Sequence, residues 1–294
     1  MSYNNDERNF RSHYYEKVGF KGVEEKRSLE ILLKEDPLDL DKLSTFCQRF
    51  PVPSLYRPFV WKVILGILPL HQTIHTFVTK QRYEQYHNSH QALIIMRQVT
   101  PAMDIQKIHL QMYQLEEGEL PLEDSLEYSV PHYDSFESIC TCMSDIIEEE
   151  VDVYWLSVRF HKLFEKYQEV IPKLNEKFEF FLKKEDSSLY TYLSENNLLN
   201  KLPYKSWFQQ GFCNVLPVPG LERIWDKMIG GSSAILIFTA LSLLVTFKRS
   251  ILNKKSPDEV LKFFEMIPPD NTDMVVNKAL ELWNKYGSPL KPDI

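Results

Sequence analysis

Proline rather than glycine punctuates this chain, and that limits what it can become. Of 294 residues only 9 are glycine, against 17 prolines, where average glycine usage is ~7%. Hairpins between alternating apolar runs need Asn-Gly, Asp-Gly or similar turns, and few clean ones occur. Apolar residues recur instead at three- and four-residue intervals, the period of helices buried on one face. The sequence predicts an all-α fold.

Two short amphipathic helices are expected first, at 28–34 (Leu29, Leu32, Leu33 inward) and 39–47 (Leu40, Leu43, Cys47 inward). In the stretch PVPSLYRPFVWKVILGILP, residues 51–69, Pro58 restricts Arg57 and presets a first helical turn. Trp61, Ile64, Leu65 and Leu68 then follow at the spacing of one buried stripe, with Pro69 as the expected end. Residues 71–99 read as a long mixed helical segment, in which Ile74, Phe77, Val78, Leu93, Ile94 and Val99 flank a polar middle. The acidic, proline-marked stretch 116–132 is expected as an exposed loop. Helices follow at 136–148 and 151–168, then two more before Pro217 and Pro219. The apolar run AILIFTALSLLVTF at 234–247 is too short to cross a bilayer and reads as a core helix. Ser256-Pro257-Asp258-Glu259 is a capping box whose helix should stop by Pro268-Pro269. The last helix places Val276, Ala279, Leu280 and Trp283 on one face.

The formal net charge of −7 disfavours nonspecific binding to nucleic acid or to an anionic membrane, which needs a basic face. The start of the chain has no apolar signal-peptide core. Cys47, Cys140, Cys142 and Cys213 therefore read as reduced cytosolic thiols, and Cys140 and Cys142 as small, inert helix residues. No phosphate loop, nucleophile elbow or zinc-helix motif is present, and GGSS at 230–233 lacks the lysine a phosphate loop needs. His71 and His75 stand four apart, but a metal needs a third protein ligand and none is suggested nearby. Neither a metal nor a cofactor is expected.

Four separated stretches share the order and spacing of one family. PSLYRPFVWKVILG resembles the opening signature of the TBC domain family, GTPase-activating proteins for Rab-type GTPases, with Arg57, Val60, Trp61, Leu65 and Gly66 in register. EEEVDVYWLSVRF at 148–160, with Trp155, resembles a second family helix. Trp207-Phe208 with Phe212 resembles a third segment, and LERIWD with Trp225 and Asp226 a fourth. The resemblance implies a two-lobed, all-helical domain over about 45–265, preceded by N-terminal helices (1–44) and completed by a C-terminal helix (266–294). Read without the resemblance, the tryptophans are packing residues, and Arg57 and Asp226 are buried charges that need partners.

Active members of the family supply an arginine and a glutamine in trans to the bound GTPase, in the patterns I-x-x-D-x-x-R and Y-x-Q. An arginine finger of this kind is worth ~10³–10⁵ in rate. The register that fits the first pattern is Ile108 to Gln114, where Gln111 replaces the aspartate and Gln114 the arginine. The second falls on Tyr133-Asp134-Ser135, where Ser135 replaces the glutamine. A neutral amide lacks the guanidinium's charge and fork. Two other registers are weighed: Asp104 with Lys107 as a shifted first pattern, and Tyr167-Gln168 as a misplaced second one. By the favoured registers the chain has the fold of an activator without its catalytic pair; the other reading is a Rab-directed activator using non-standard residues.

Within the family the chain resembles the short member that is the third, accessory subunit of the tuberous sclerosis complex. That implies as partners the C-terminal coiled coil of hamartin and, through it, tuberin. It also implies a role in restraining growth (TOR complex) signalling through Rheb, and a cytoplasmic protein recruited to lysosomal or vesicle membranes by its partners. Ile74, Phe77 and Val78 have the i, i+3, i+4 spacing of helix-docking anchors, though the same spacing fits residues facing this chain's own core.

Overall fold

The apolar run at 234–247 becomes a helix, Ile235–Thr246, with ten of its twelve residues buried. A helix apolar all round belongs inside a protein, and its two buried polar side chains are satisfied locally: Thr239 donates to the Ile235 carbonyl and Ser242 to that of Thr239, each at 2.9 Å. The second lobe is built around it. The structure is a computed structural model and describes residues 23–121, 133, 135–167, 171–254, 256–264 and 267–291.

Among the described residues there are fourteen α-helices and no strand. The first lobe comprises α1 (Val23–Leu32), α2 (Leu40–Arg49), α3 (Arg57–Ile64), α4 (His75–Ile95), α5 (Ile105–Glu117), α6 (Phe136–Ile146) and α7 (Glu150–Tyr167). The second comprises α8 (Ile171–Glu185), α9 (Ser187–Glu195), α10 (Val218–Ile229), α11 (Ile235–Thr246), α12 (Lys248–Leu252), α13 (Pro257–Phe263) and α14 (Thr272–Lys285). α11 lies against α8 and α14, while α10 reaches back to α2, α3 and α6 and so joins the lobes. Gly220 on α10 permits a close approach to α14: a Cβ there would sit 2.3 Å from Thr272 Cγ2.

Local signals explain several helix ends. Asp39 caps α2, Asp186 caps α9, and Ser256 accepts from the Glu259 amide at 3.3 Å as the capping sequence predicts. The structure corrects several expectations. Leu40 is 38% exposed, and Phe46 takes the inward place with Leu43 and Cys47. α3 ends at Ile64, not Pro69, because Gly66 turns left-handed at φ 71°, a conformation cheap for glycine. Leu68 is buried from outside the helix, and Ile64 and Leu65 only half-buried. α5 continues through Glu117 before Gly118 stops it, and residues 122–132 of the expected loop lie outside the described set. Leu280 is only half-buried, whereas Val276, Ala279 and Trp283 face the core.

Candidate functional site

Pro58 in the first turn of α3 and the prolines that start α10 fix two helices whose buried polar faces meet. Arg57 donates from Nε to Asp226 Oδ1 at 3.2 Å and from Nη1 to Glu222 Oε2 at 2.7 Å, and its Nη2 donates to the Val52 carbonyl. Asp226, fully buried, also accepts from the Val52 amide at 2.9 Å and from the Trp61 indole at 2.9 Å. Lys227, next along, donates to the carbonyls of Cys47 and Phe50 at the end of α2. Burial raises the Glu222 carboxyl's pKa, and Arg57 opposes that rise. The Trp225 ring lies 6.3 Å from Trp61 and 4.5 Å from Phe160, and its indole donates to the Gly211 carbonyl at 2.9 Å. These contacts are those of a structural lock between lobes.

Trp155 and Trp207 lie apart from this node. Trp155 donates to the Arg82 carbonyl at 3.2 Å and carries the Arg82 guanidinium 4.6 Å over its ring. Trp207, fully buried in a π-helical turn at Lys205–Gln209, stacks on Phe212 and meets Phe178 and Phe264 edge-on. The sequence reading missed Glu222 and Lys227. The signal was there: Glu222 stands one helical turn before Asp226, so both carboxylates share a face of α10.

The two catalytic seats implied by the resemblance fall on abutting helices. Gln114 lies on α5 and Ser135 at the start of α6, and both are buried, at 8% and 9% exposure. The segments meet through aromatic rings: Tyr113 stands edge-on to Tyr133 at 5.1 Å and tilted against Phe136 at 5.3 Å. Gln111 has its Oε1 buried without a hydrogen-bond partner. Three carboxylates surround these rings. Tyr133 donates to Glu119 Oε2 at 3.0 Å, Tyr113 to Glu165 Oε1 at 3.4 Å, and Glu117 pairs with Lys162 at 2.6 Å. Burial, then these carboxylates, push both phenols well above the ordinary tyrosine range. The alternative registers lie elsewhere: Lys107 is exposed on the first turn of α5, about 10 Å along the axis from Gln114 at 1.5 Å per residue. Tyr167 ends α7, and Gln168 lies outside the described residues.

α4 offers a different kind of surface. Of its 21 residues only Tyr86 and Leu93 are buried. Phe77 is 66% exposed and Ile74, in the 3₁₀ turn before the helix, 45%. Val78 turns inward and packs against the cluster of Leu29, Leu43, Val60 and Val63. Tyr83, Ile94 and Ile95 extend the exposed apolar positions along the helix.

His75 commits Nε2 to the Pro69 carbonyl at 2.7 Å, and His71 lies 3.7 Å from Asp36. Among the described residues no group of three or more His, Cys, Asp or Glu side chains could hold a metal ion. Among them, too, no helix is long and apolar enough to cross a membrane.

The family model for the Rab-GTPase-TBC domain matches residues 130–252. TBC1 domain family member 7 of Homo sapiens is 47% identical over 286 residues, covering 97% of each chain. The protein of the same name from Danio rerio is 45% identical, again over 97% of each. The solved Ypt/Rab-GAP domain of Gyp1p superposes with a TM-score of 0.61 at 12% identity, covering 90% of this chain and 99% of that one. That likeness carries the two-lobed helical fold, and the end-to-end identity carries the kinship: the chain belongs to the TBC domain family.

Proposed function

We propose that this chain is a non-catalytic accessory subunit of the tuberous sclerosis complex. In this reading it holds the C-terminal coiled coil of hamartin, and tuberin through it, and supports restraint of growth (TOR complex) signalling through Rheb. Recruitment to lysosomal or vesicle membranes comes through those partners. The observation that carries the reading is α4: a helix with two buried residues in 21, headed by exposed Ile74 and Phe77. Helices in water draw most of their stability from packing an apolar face, and apolar anchors at helical spacing suit a second helix laid alongside. Ile74 and Phe77 are the docking anchors; Val78, turned inward, sets the helix on its own lobe.

The non-catalytic half of the proposal rests on charge. Activation of a GTPase needs a cation at the transferred phosphoryl group. Gln114 is neutral and buried, and the phenols of its neighbour Tyr113 and of Tyr133 stand among the carboxylates of Glu117, Glu119 and Glu165. Such a field opposes a nucleoside triphosphate. The decisive experiment pairs two measurements on the full chain: capture of the hamartin coiled coil by wild type and Phe77→Asp, and GTP hydrolysis by a panel of Rab proteins. Full capture by a folded Phe77→Asp protein rejects the docking face. Stimulated hydrolysis that Gln114→Ala or Lys107→Ala abolishes establishes the Rab-directed activator instead.

A further inference from the structure

The sign of the chain's charge reverses on the outward face of α8. The protein as a whole is acidic, with a formal net charge of −7, yet this helix carries Lys173, Lys177, Lys183 and Lys184. Its buried residues, Leu174, Phe178, Phe181 and Leu182, mark the side packed on the second lobe. At 3.6 residues per turn the four lysines fall on the opposite side, against two acids, Glu176 and Glu179. From Lys173 to Lys184 the stripe runs about 17 Å at 1.5 Å per residue. Phe180 stands in it, 56% exposed. Lys184 Nζ lies 6.0 Å over the Phe180 ring and 4.8 Å over that of Tyr286, and Lys183 Nζ lies 5.6 Å over Tyr190. Both lysines are exposed, so their stems cover aromatic surface while their charged heads stay in water. At the end of the helix Lys248 pairs with Asp186 at 2.7 Å, which brings the exposed Arg249 of α12 alongside, and Lys285 pairs with Glu185 at 2.7 Å. The acids at this end are thereby neutralised. The helix macrodipole favours lysines in the last turn of α8 but opposes Lys173 in the first.

We propose that this face of α8 is a peripheral membrane contact for anionic phospholipid. The four lysines reach the lipid phosphates, and Phe180 enters at headgroup level between them. Two features choose a bilayer over a protein partner. A docked helix needs apolar anchors repeated at i, i+3 or i+4, but the positions one turn from Phe180 are Glu176, Lys177, Lys183 and Lys184. Protein interfaces are also depleted in lysine, whereas lysines flanking an isolated aromatic ring are the pattern of a helix lying on a membrane surface. Each basic residue held near an anionic surface is worth about fivefold in partitioning. The negative net charge rules out adhesion by the whole molecule and leaves a local basic face as the means. The contact adds to recruitment through partners and does not depend on docking at α4, which lies on the first lobe.

The test floats the full chain, without any partner, on lipid vesicles at low ionic strength. Recovery is expected with vesicles of phosphatidylcholine and phosphatidylserine but not with phosphatidylcholine alone, and added salt should release the protein. Lys183→Glu with Lys184→Glu should weaken partitioning about tenfold or more. Phe180→Ser should weaken it several-fold while keeping the salt dependence. Lys80→Glu with Lys107→Glu makes the same change of net charge at exposed positions of the first lobe and should lose far less. Circular dichroism checks that the variants fold, and the lipid and salt dependence of the wild type stands without them. Wild-type protein that fails to float with phosphatidylserine vesicles overturns the proposal. So does full recovery of the Lys183→Glu, Lys184→Glu variant, or an equal loss in the first-lobe control. Retention on immobilised polyglutamate without flotation identifies an acidic protein as the partner and overturns it too.

Discussion

Arg57 and Asp226, 169 positions apart in the chain, meet with Nε 3.2 Å from Oδ1 in the seam between α3 and α10. The carboxylate is fully buried and also takes the Val52 amide and the Trp61 indole, so three residues donate to one anion. A buried ion pair of this kind adds little over a well-packed apolar substitute, but removing one partner strands the other. The pair therefore fixes how the lobes dock.

Asp226→Ala should lower unfolding free energy by about 3–5 kcal/mol, the cost of an uncompensated buried charge. Asp226→Asn keeps one acceptor oxygen for Trp61 and should cost less. Urea denaturation followed by tryptophan fluorescence separates the two. Equal stability of Asp226→Ala and wild type contradicts the lock.

His109 gives a pH signature. Its Nε2 lies 3.0 Å from the Tyr86 hydroxyl, which also bonds Glu150. Burial depresses its pKa from 6.5 to about 4, with His90 in the same direction and Glu150 opposing. The folded value lies below the unfolded one, so the unfolded chain binds the extra proton. The neutral imidazole's contribution is complete above pH 6.5 and is lost as pH falls from there toward 4. Between pH 7.5 and 5 this group alone should remove about 2 kcal/mol of stability. Because other carboxyls titrate too, the measurement is the difference in slope between wild type and His109→Gln; identical slopes refute it.

Phe77→Asp should leave unfolding free energy within about 0.5 kcal/mol of wild type, since the site is exposed, while weakening coiled-coil capture by about 2 kcal/mol or more, as an interface anchor would. Calorimetric titration with the hamartin coiled coil reads the second quantity and thermal denaturation the first.

On the proposed reading of positions 114 and 135, Gln114→Arg with Ser135→Gln supplies the family's residue types but leaves the carboxylates. The new guanidinium should pair with Glu117 or Glu165 rather than face a phosphate, so little Rab stimulation is expected. Adding Glu117→Gln and Glu165→Gln should raise stimulation above the double variant. Single-turnover GTP hydrolysis across the Rab panel checks the order.

Much of this was legible beforehand for reasons that remain local. The run at 234–247 is apolar on every face and can only be interior. Pro58 and Ser256 mark helix starts through their own geometry. Arg57 and Asp226 announce themselves as charges needing partners, though not that Glu222 and Val52 complete the set. Gly66 ended α3 before the expected Pro69 because a left-handed glycine is as firm a stop as proline. The anchors at 74, 77 and 78 could not be apportioned between this chain's core and a partner, since periodicity gives an angle about a helix axis and says nothing of what lies opposite.

The sequence by itself determined that the chain is helical and which helix lies at its centre. Tertiary structure decided that Val78 turns inward while Ile74 and Phe77 stay exposed. It also gathered Glu117, Glu119 and Glu165 around Tyr113 and Tyr133. The reason is physical: local backbone preferences and residue chemistry are written residue by residue, whereas burial and field strength belong to groups from remote segments and exist only once the helices have packed.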